Sequence, residues 1–182
     1  MKRLFVKSSL VFCLLFVVAL AACSGGGSGT SSKSPAVAGS SSPAPVSSSA
    51  DVVKIRPESV SFPAGGNIET KILLSISPGF HVNANPATFS YLIATEVTAG
   101  KVEGITVGTP GYPAAEKKKF QFAEKPLAVY EGEVPIKLNL RAEKNAAAGP
   151  RSLPITVKVQ ACDEEKCYPP ATLNSTISVT VK

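Results

Sequence analysis

The amino-acid sequence predicts an all-β domain built as a sandwich of two sheets. Three observations predict it. Apolar and polar residues alternate in several short runs. Pro and Gly recur between those runs as turn signals. No convincing amphipathic helix of ten or more residues is present.

The elements follow in order from residue 51. The branched run 68–76 (Ile-Glu-Thr-Lys-Ile-Leu-Leu-Ser-Ile) stops at Ser77-Pro78-Gly79, a turn. Val134, Ile136, Leu138 and Leu140 alternate with Pro135, Lys137 and Asn139, and Pro135 marks that strand as an edge or an irregular start. Ile155, Val157 and Val159 alternate with Thr156, Lys158 and Gln160. Leu173, Ile177, Val179 and Val181 share one parity at the C-terminus. Shorter candidates lie at 52–55, 92–97 and 105–107. Helix formers at 144–148 run into Gly149-Pro150, so they allow one turn at most.

The N-terminus reads as an export signal. Lys2, Arg3 and Lys7 supply positive charge, residues 10–20 an apolar middle, and small residues a cleavage site. The apolar stretch is short for a membrane span, which needs about 20 residues. Leu20-Ala21-Ala22-Cys23 resembles a bacterial lipobox. By that resemblance residues 1–22 are removed, Cys13 with them, and Cys23 becomes the acylated (palmitate-type) first residue of a lipoprotein. Ser24 after it fits outer-membrane sorting on the periplasmic side of a bacterial envelope.

Residues 24–50 are nearly all Ser, Gly, Ala and Pro. They lack the apolar content for a core and are expected to form, with Cys23, a disordered tether. Such a tether spans roughly 30 Å on average. The folded domain is expected at 51–182, enough chain for one core. Of the 19 basic residues, 15 lie there with all 13 acidic ones, so the formal +6 falls to +2. That is no nucleic-acid footprint, and no basic stripe with interleaved aromatics appears. Lys117-Lys118-Lys119 reads as a solvated loop.

With Cys13 and Cys23 set aside, Cys162 and Cys167 remain, a pair suited to a disulfide in an exported protein. The parity from Ile155 turns Ala161 to the core and Gln160 and Cys162 away from it, which places Cys162 at a strand end reachable from solvent. Four intervening residues let the chain turn back, and Pro169-Pro170 stiffens the exit. Two readings stay open on spacing alone. One is a stabilising disulfide in a hairpin loop. The other is a thiol-exchange site, where Asp163, Glu164 and Glu165 disfavour a thiolate and Lys166 favours one. A metal is not expected, because two Cys and the lone His81 do not complete a tetrahedral set. No cofactor is expected.

The segment Val159-Gln160-Ala161-Cys162-Asp163-Glu164-Glu165-Lys166-Cys167-Tyr168-Pro169-Pro170 resembles the cysteine motif of the N-terminal periplasmic domain of the thiol:disulfide interchange protein DsbD. Pro78-Gly79-Phe80-His81-Val82-Asn83-Ala84-Asn85, residues 91–97 and Tyr130-Glu131-Gly132 resemble other parts of the same family. The resemblance covers nearly all of 51–182. It implies an immunoglobulin-like sandwich and a redox-active pair, Cys162 and Cys167, with Cys167 facing the partner. It implies electron flow from a membrane thiol reductase to periplasmic thioredoxin-like proteins, which is protein-disulfide reductase chemistry. It also implies an aromatic cap loop over the cysteines, for which Phe122 is the first candidate and Phe120 the second. Where some members carry tyrosines beside the cysteines, this chain carries His81 and Asn83. His81 there either assists proton transfer or sits at a strand edge without a role. The alternative to the whole redox reading is an immunoglobulin-like binding or assembly lipoprotein with a permanent disulfide.

Overall fold

The architecture is a β-sandwich with a third, smaller sheet at one end. The computed structural model describes residues 45–182. The signal at 1–22, Cys23 and the tether up to 44 lie outside the described residues. Three sheets are built from twelve strands. The first has the order β1 (Val53–Pro57), β3 (Asn67–Ile76), β9 (Glu133–Ala142), β6 (Ile105–Val107). The second has the order β2 (Val60–Phe62), β12 (Ala171–Val181), β10 (Gly149–Val159), β5 (Glu96–Ala99). The third has the order β11 (Ala161–Cys162), β4 (His81–Asn83), β8 (Leu127–Tyr130), β7 (Glu116–Lys118). All pairings are antiparallel except β2 with β12.

The long strands form where the alternation is longest. On β9, Val134, Ile136, Leu138, Leu140 and Ala142 are buried and the residues between them are exposed. On β10, Leu153, Ile155, Val157 and Val159 are buried. Ile177, Val179 and Val181 on β12 and Ile72, Leu74 and Ile76 on β3 complete the two inner faces, which meet in one apolar cluster. Each such side chain contributes about 1.5–3 kcal/mol on burial. That shared core makes the first two sheets the immunoglobulin-like sandwich expected from the sequence.

Of three local expectations, two are corrected. Pro135 sits at a local edge, as expected: β9 lies between β3 and β6, but β6 pairs with it only from residue 140. Lys137 exchanges both backbone hydrogen bonds with Gly111, at 2.8 and 2.9 Å, so odd-numbered amides of β9 point away from β3. Pro135 shares that parity, and β6 pairs only with residues 140–142, so the missing N–H costs no ladder bond. The strand expected at 92–97 is confined to Glu96–Ala99. Its first half is held by side chains instead: Ile93 N–H donates to Gln160 Oε1 at 3.4 Å and Ile93 O accepts from Asn83 Nδ2 at 3.1 Å. The lysine run is no loop, because Lys117 and Lys118 pair with Ala128 and Leu127 in edge strand β7.

The described residues also begin before residue 51. A short helix α1 (Ser49–Val52) carries a capping box between Ser48 and Asp51. Ser49 is fully buried, and its hydroxyl donates to Pro169 O and accepts from Ala161 N–H, both at 2.8 Å. The end of the expected tether is thus clamped to the domain. All described residues fall in one compact unit. Among them no helix is long and apolar enough to cross a membrane.

Candidate functional site: a disulfide under an aromatic cover

Cys162 ends β11, the chain turns through Asp163-Glu164-Glu165-Lys166, and Cys167 comes back opposite Cys162. The two are joined by a disulfide, with Cα atoms 3.9 Å apart. Asp163 builds the turn. Its Oδ1 accepts from the N–H groups of Glu165 and Lys166, both at 2.8 Å, and its Oδ2 accepts from the Tyr168 hydroxyl at 2.7 Å. The Tyr168 bond, with those two amides, holds the Asp163 carboxyl below the usual carboxylate value. The same bond pushes the Tyr168 phenol up. Tyr168 N–H closes the base of the loop on Ala161 O at 2.8 Å, and Lys166 Nζ lies 5.3 Å from the Tyr168 ring centroid.

The third sheet has two faces. Val82, Tyr130 and Ala161 share one parity and enter the main core. His81, Asn83, Leu127, Val129 and Cys162 lie on the other face. That face is covered by a second apolar cluster of Phe120, Leu127 and Val129, with Phe89, Leu92 and Ala123 packed against it. The parity expected for Ala161 and Cys162 is therefore right, but the expected exposure of Cys162 is corrected. Cys162 is 0% exposed, because the face it turns to is roofed. Cys167 is half-buried.

His81 pairs directly with Cys162 across the β4–β11 register. Opposed residues in an antiparallel pair project from the same face with Cβ atoms roughly 5 Å apart. Phe120 stacks on the His81 ring at 4.1 Å, and Phe122 stacks on Phe120 at 5.4 Å. Of the two cap candidates, the second, Phe120, is the buried one (2%), while Phe122 is 41% exposed. His81 is itself 2% exposed, and its Nε2 has no hydrogen-bond partner. Burial lowers the His81 pKa, an effect opposed by the Glu131 and Asp163 carboxylates and reinforced by Lys118. Lys118 is raised by its 2.6 Å bonds to Glu131. Asn83 is fully buried and donates to Ile93 O and Gln160 Oε1, leaving its Oδ1 unpaired.

A cleft of about 400 Å³, reached from the cysteine loop by Glu164, is also lined by Ser77, Pro78, Phe80, Lys118 and Glu131. Among the described residues, no three His, Cys, Asp or Glu side chains come together as metal ligands. The site thus unites Cys162, Cys167, His81, Asn83, Phe120 and Phe122, while Cys23 lies outside the described residues.

Three positioning groups escape the sequence reading: Ser49, Gln160 and the Asp163 carboxylate. Ser48 followed by Asp51 three residues later is a capping-box signal that could have found the first. An Asp followed within two to three residues by free N–H groups is the signature of an Asx turn and could have found the last.

A family model described as the N-terminal domain of thiol:disulfide interchange protein DsbD matches residues 50–178. No curated protein matches the sequence. Among solved structures, the Neisseria meningitidis DsbD N-terminal domain in the reduced form is 18% identical, covers 64% of this chain and 82% of its own, and has a TM-score of 0.41. The complex between the DsbD and PilB N-terminal domains from the same organism matches at 17% identity, 67% and 80% coverage, and a TM-score of 0.42. The N-terminal periplasmic domain of ScsB from Proteus mirabilis matches at 13% identity, 70% and 45% coverage, and a TM-score of 0.42.

Proposed function

The chain belongs to the family of DsbD N-terminal domains, and on that premise we propose that it is a lipid-anchored electron carrier of the periplasm. Family membership and the Cys162–Cys167 disulfide make it a thiol:disulfide exchange module. In the proposed cycle the pair takes two electrons from a membrane thiol reductase and passes them to periplasmic thioredoxin-like proteins. Cys167 meets the partner and Cys162 resolves the mixed disulfide. Cys23 carries the lipid, on the outer membrane by the Ser24 rule.

The observation that carries this reading is the unequal burial of the two sulfurs' residues. A half-buried Cys167 at the rim offers a point of attack, while Cys162 is fully buried opposite His81, on which Phe120 stacks. Exchange needs one accessible sulfur and a leaving sulfur shielded from stray thiols. The burial of Cys162 also favours a second reading, a binding lipoprotein whose disulfide is permanent.

The reduction potential of residues 45–182, equilibrated against glutathione or dithiothreitol, separates the two. A value between roughly −180 and −270 mV, the range of working oxidoreductases, supports the carrier. A value below about −300 mV makes the disulfide structural. The anchor is tested separately: Cys23→Ala should shift the protein from the membrane to the soluble fraction of the envelope.

A further inference from the structure

A buried imidazole nitrogen without a hydrogen-bond partner is costly. His81 Nε2 is such an atom. The ring is pinned by its 4.1 Å stack on Phe120, and its strand position sets it opposite Cys162. In the disulfide state the Cys162 sulfur has no hydrogen to offer. Reduction creates one, an S–H on the residue that shares a face with His81. Reduction thus adds a possible donor on the same sheet face as the orphan nitrogen.

We propose that His81 Nε2 accepts the Cys162 thiol proton, acting as the base when Cys162 re-forms the disulfide. This rests on the exchange reading above. In the first step Cys167, having lost its proton to solvent, attacks the partner disulfide. A Cys167–partner S–S bond forms, and the partner's second sulfur leaves as a thiolate that takes a proton from solvent. Cys162 Sγ then attacks Cys167 Sγ as its proton moves to His81 Nε2. The Cys162–Cys167 bond forms, and the Cys167–partner bond breaks. The released partner thiolate takes a proton from solvent, and His81 returns its own. The pair loses two electrons and two protons, and the partner disulfide gains two of each.

The surroundings suit that role. Burial keeps the imidazole neutral, so its lone pair is available at physiological pH. The charged groups around it are Glu131 from the β8–β9 turn, Lys118 from β7 and Asp163 from the cysteine loop. Glu131 and Asp163 favour the transient imidazolium. Lys118 opposes it but is itself paired with Glu131. The remaining cover, Phe120 with Leu127 and Val129, is apolar.

The test follows resolution of a mixed disulfide in residues 45–182. Reduced protein is mixed with 2-hydroxyethyl disulfide, quenched in acid at intervals, and the mixed disulfide is quantified by mass from pH 6 to 10. In the wild type the resolution rate should stay level below the ordinary thiol pKa of about 8.5, down to the titration of His81 below 6.5. In His81→Phe, which keeps the ring stack, resolution should slow at least tenfold at pH 7, a modest share of what general bases supply. The gap should close above about pH 9, where the thiol ionises unaided. His81→Gln, an acceptor without basicity, should behave as His81→Phe. A constant ratio at every pH would reveal a packing effect only and overturn the proposal. So would wild-type speed in His81→Gln, or a wild-type rate falling tenfold per pH unit below 8.5, which needs no variant to observe. If the wild-type dithiol forms neither mixed disulfide nor intramolecular disulfide, the exchange reading itself fails. If it exchanges normally while the variants match it, only the role of His81 falls.

Discussion

Replacing Ser49 with alanine removes the clamp between the N-terminal turn and both ends of the cysteine hairpin. Its hydroxyl bonds Ala161 N–H, just before Cys162, and Pro169 O, two residues after Cys167. Pro169 O keeps a second donor, the Ser49 amide at 3.0 Å. The Ala161 N–H keeps none there, and residue 161 is 0% exposed, so water does not replace the hydroxyl. The cost is that of one orphaned buried donor, about 2 kcal/mol. For a domain of about 140 residues the unfolding entropy is near 0.29 kcal/mol/K, so Tm should fall by about 7 °C. Calorimetry of residues 45–182 reads this directly. Ser47→Ala is the control, since it removes only an exposed 2.9 Å bond to Asp51 and should shift Tm little. Starting the chain at residue 51 removes the same clamp and should cost at least as much as Ser49→Ala. Equal Tm for the 45–182 and 51–182 fragments, or for Ser49→Ala and Ser47→Ala, would refute the reasoning.

Phe120→Ala should destabilise by about 3 kcal/mol in urea unfolding, as a buried aromatic does, whereas Phe122→Ala should cost under about 1 kcal/mol because its ring is 41% exposed. With single cysteines, Cys167 in Cys162→Ala should form mixed disulfides with 2-hydroxyethyl disulfide faster than Cys162 in Cys167→Ala; equal rates would remove the distinction drawn from burial. A carboxyl with a depressed folded pKa adds stability above its unfolded pKa, about 3.9, and loses it as pH falls through the folded value. The stability gap between wild type and Asp163→Asn should therefore be open at pH 5–7 and narrow as pH falls below about 3.9 in pH-dependent urea titrations, given the lowered Asp163 pKa.

The long strands were legible because alternation is a direct consequence of one buried face. Val134 to Leu140 and Ile155 to Val159 could be read without any tertiary knowledge, and their parity correctly turned Ala161 inward. The third sheet was not legible. β4 is three residues long and all of them are buried, so it shows no period. β7 looked like a solvated run because its lysines sit on an edge strand, where charge is compatible with pairing. The burial of Cys162 was unreadable for a different reason. The outer cluster on its sheet face draws on Phe89, Leu92, Phe120 and Ala123, and no local pattern says that those segments fold onto that face. Ser49 was lost in compositional noise, a structural serine in a tract of serines.

The division into sheets sets the cysteine site apart from the main core. The ten- and eleven-residue strands β3, β9, β10 and β12 meet in one core and carry most of the buried apolar surface. The cysteine sheet shares that core only through its inner face, at Val82, Tyr130 and Ala161. Its outer face has an apolar cluster of its own, separate from the main one. Lifting Phe120 and Phe122 would therefore uncover His81 without opening a seam between the two large sheets. The costs differ accordingly, since the outer cluster holds three buried side chains and the main core two dozen. Local opening draws on the least-packed part of a fold. Ser49 ties the hairpin to the N-terminal turn, and Gln160 ties it to Ile93, next to the outer cluster.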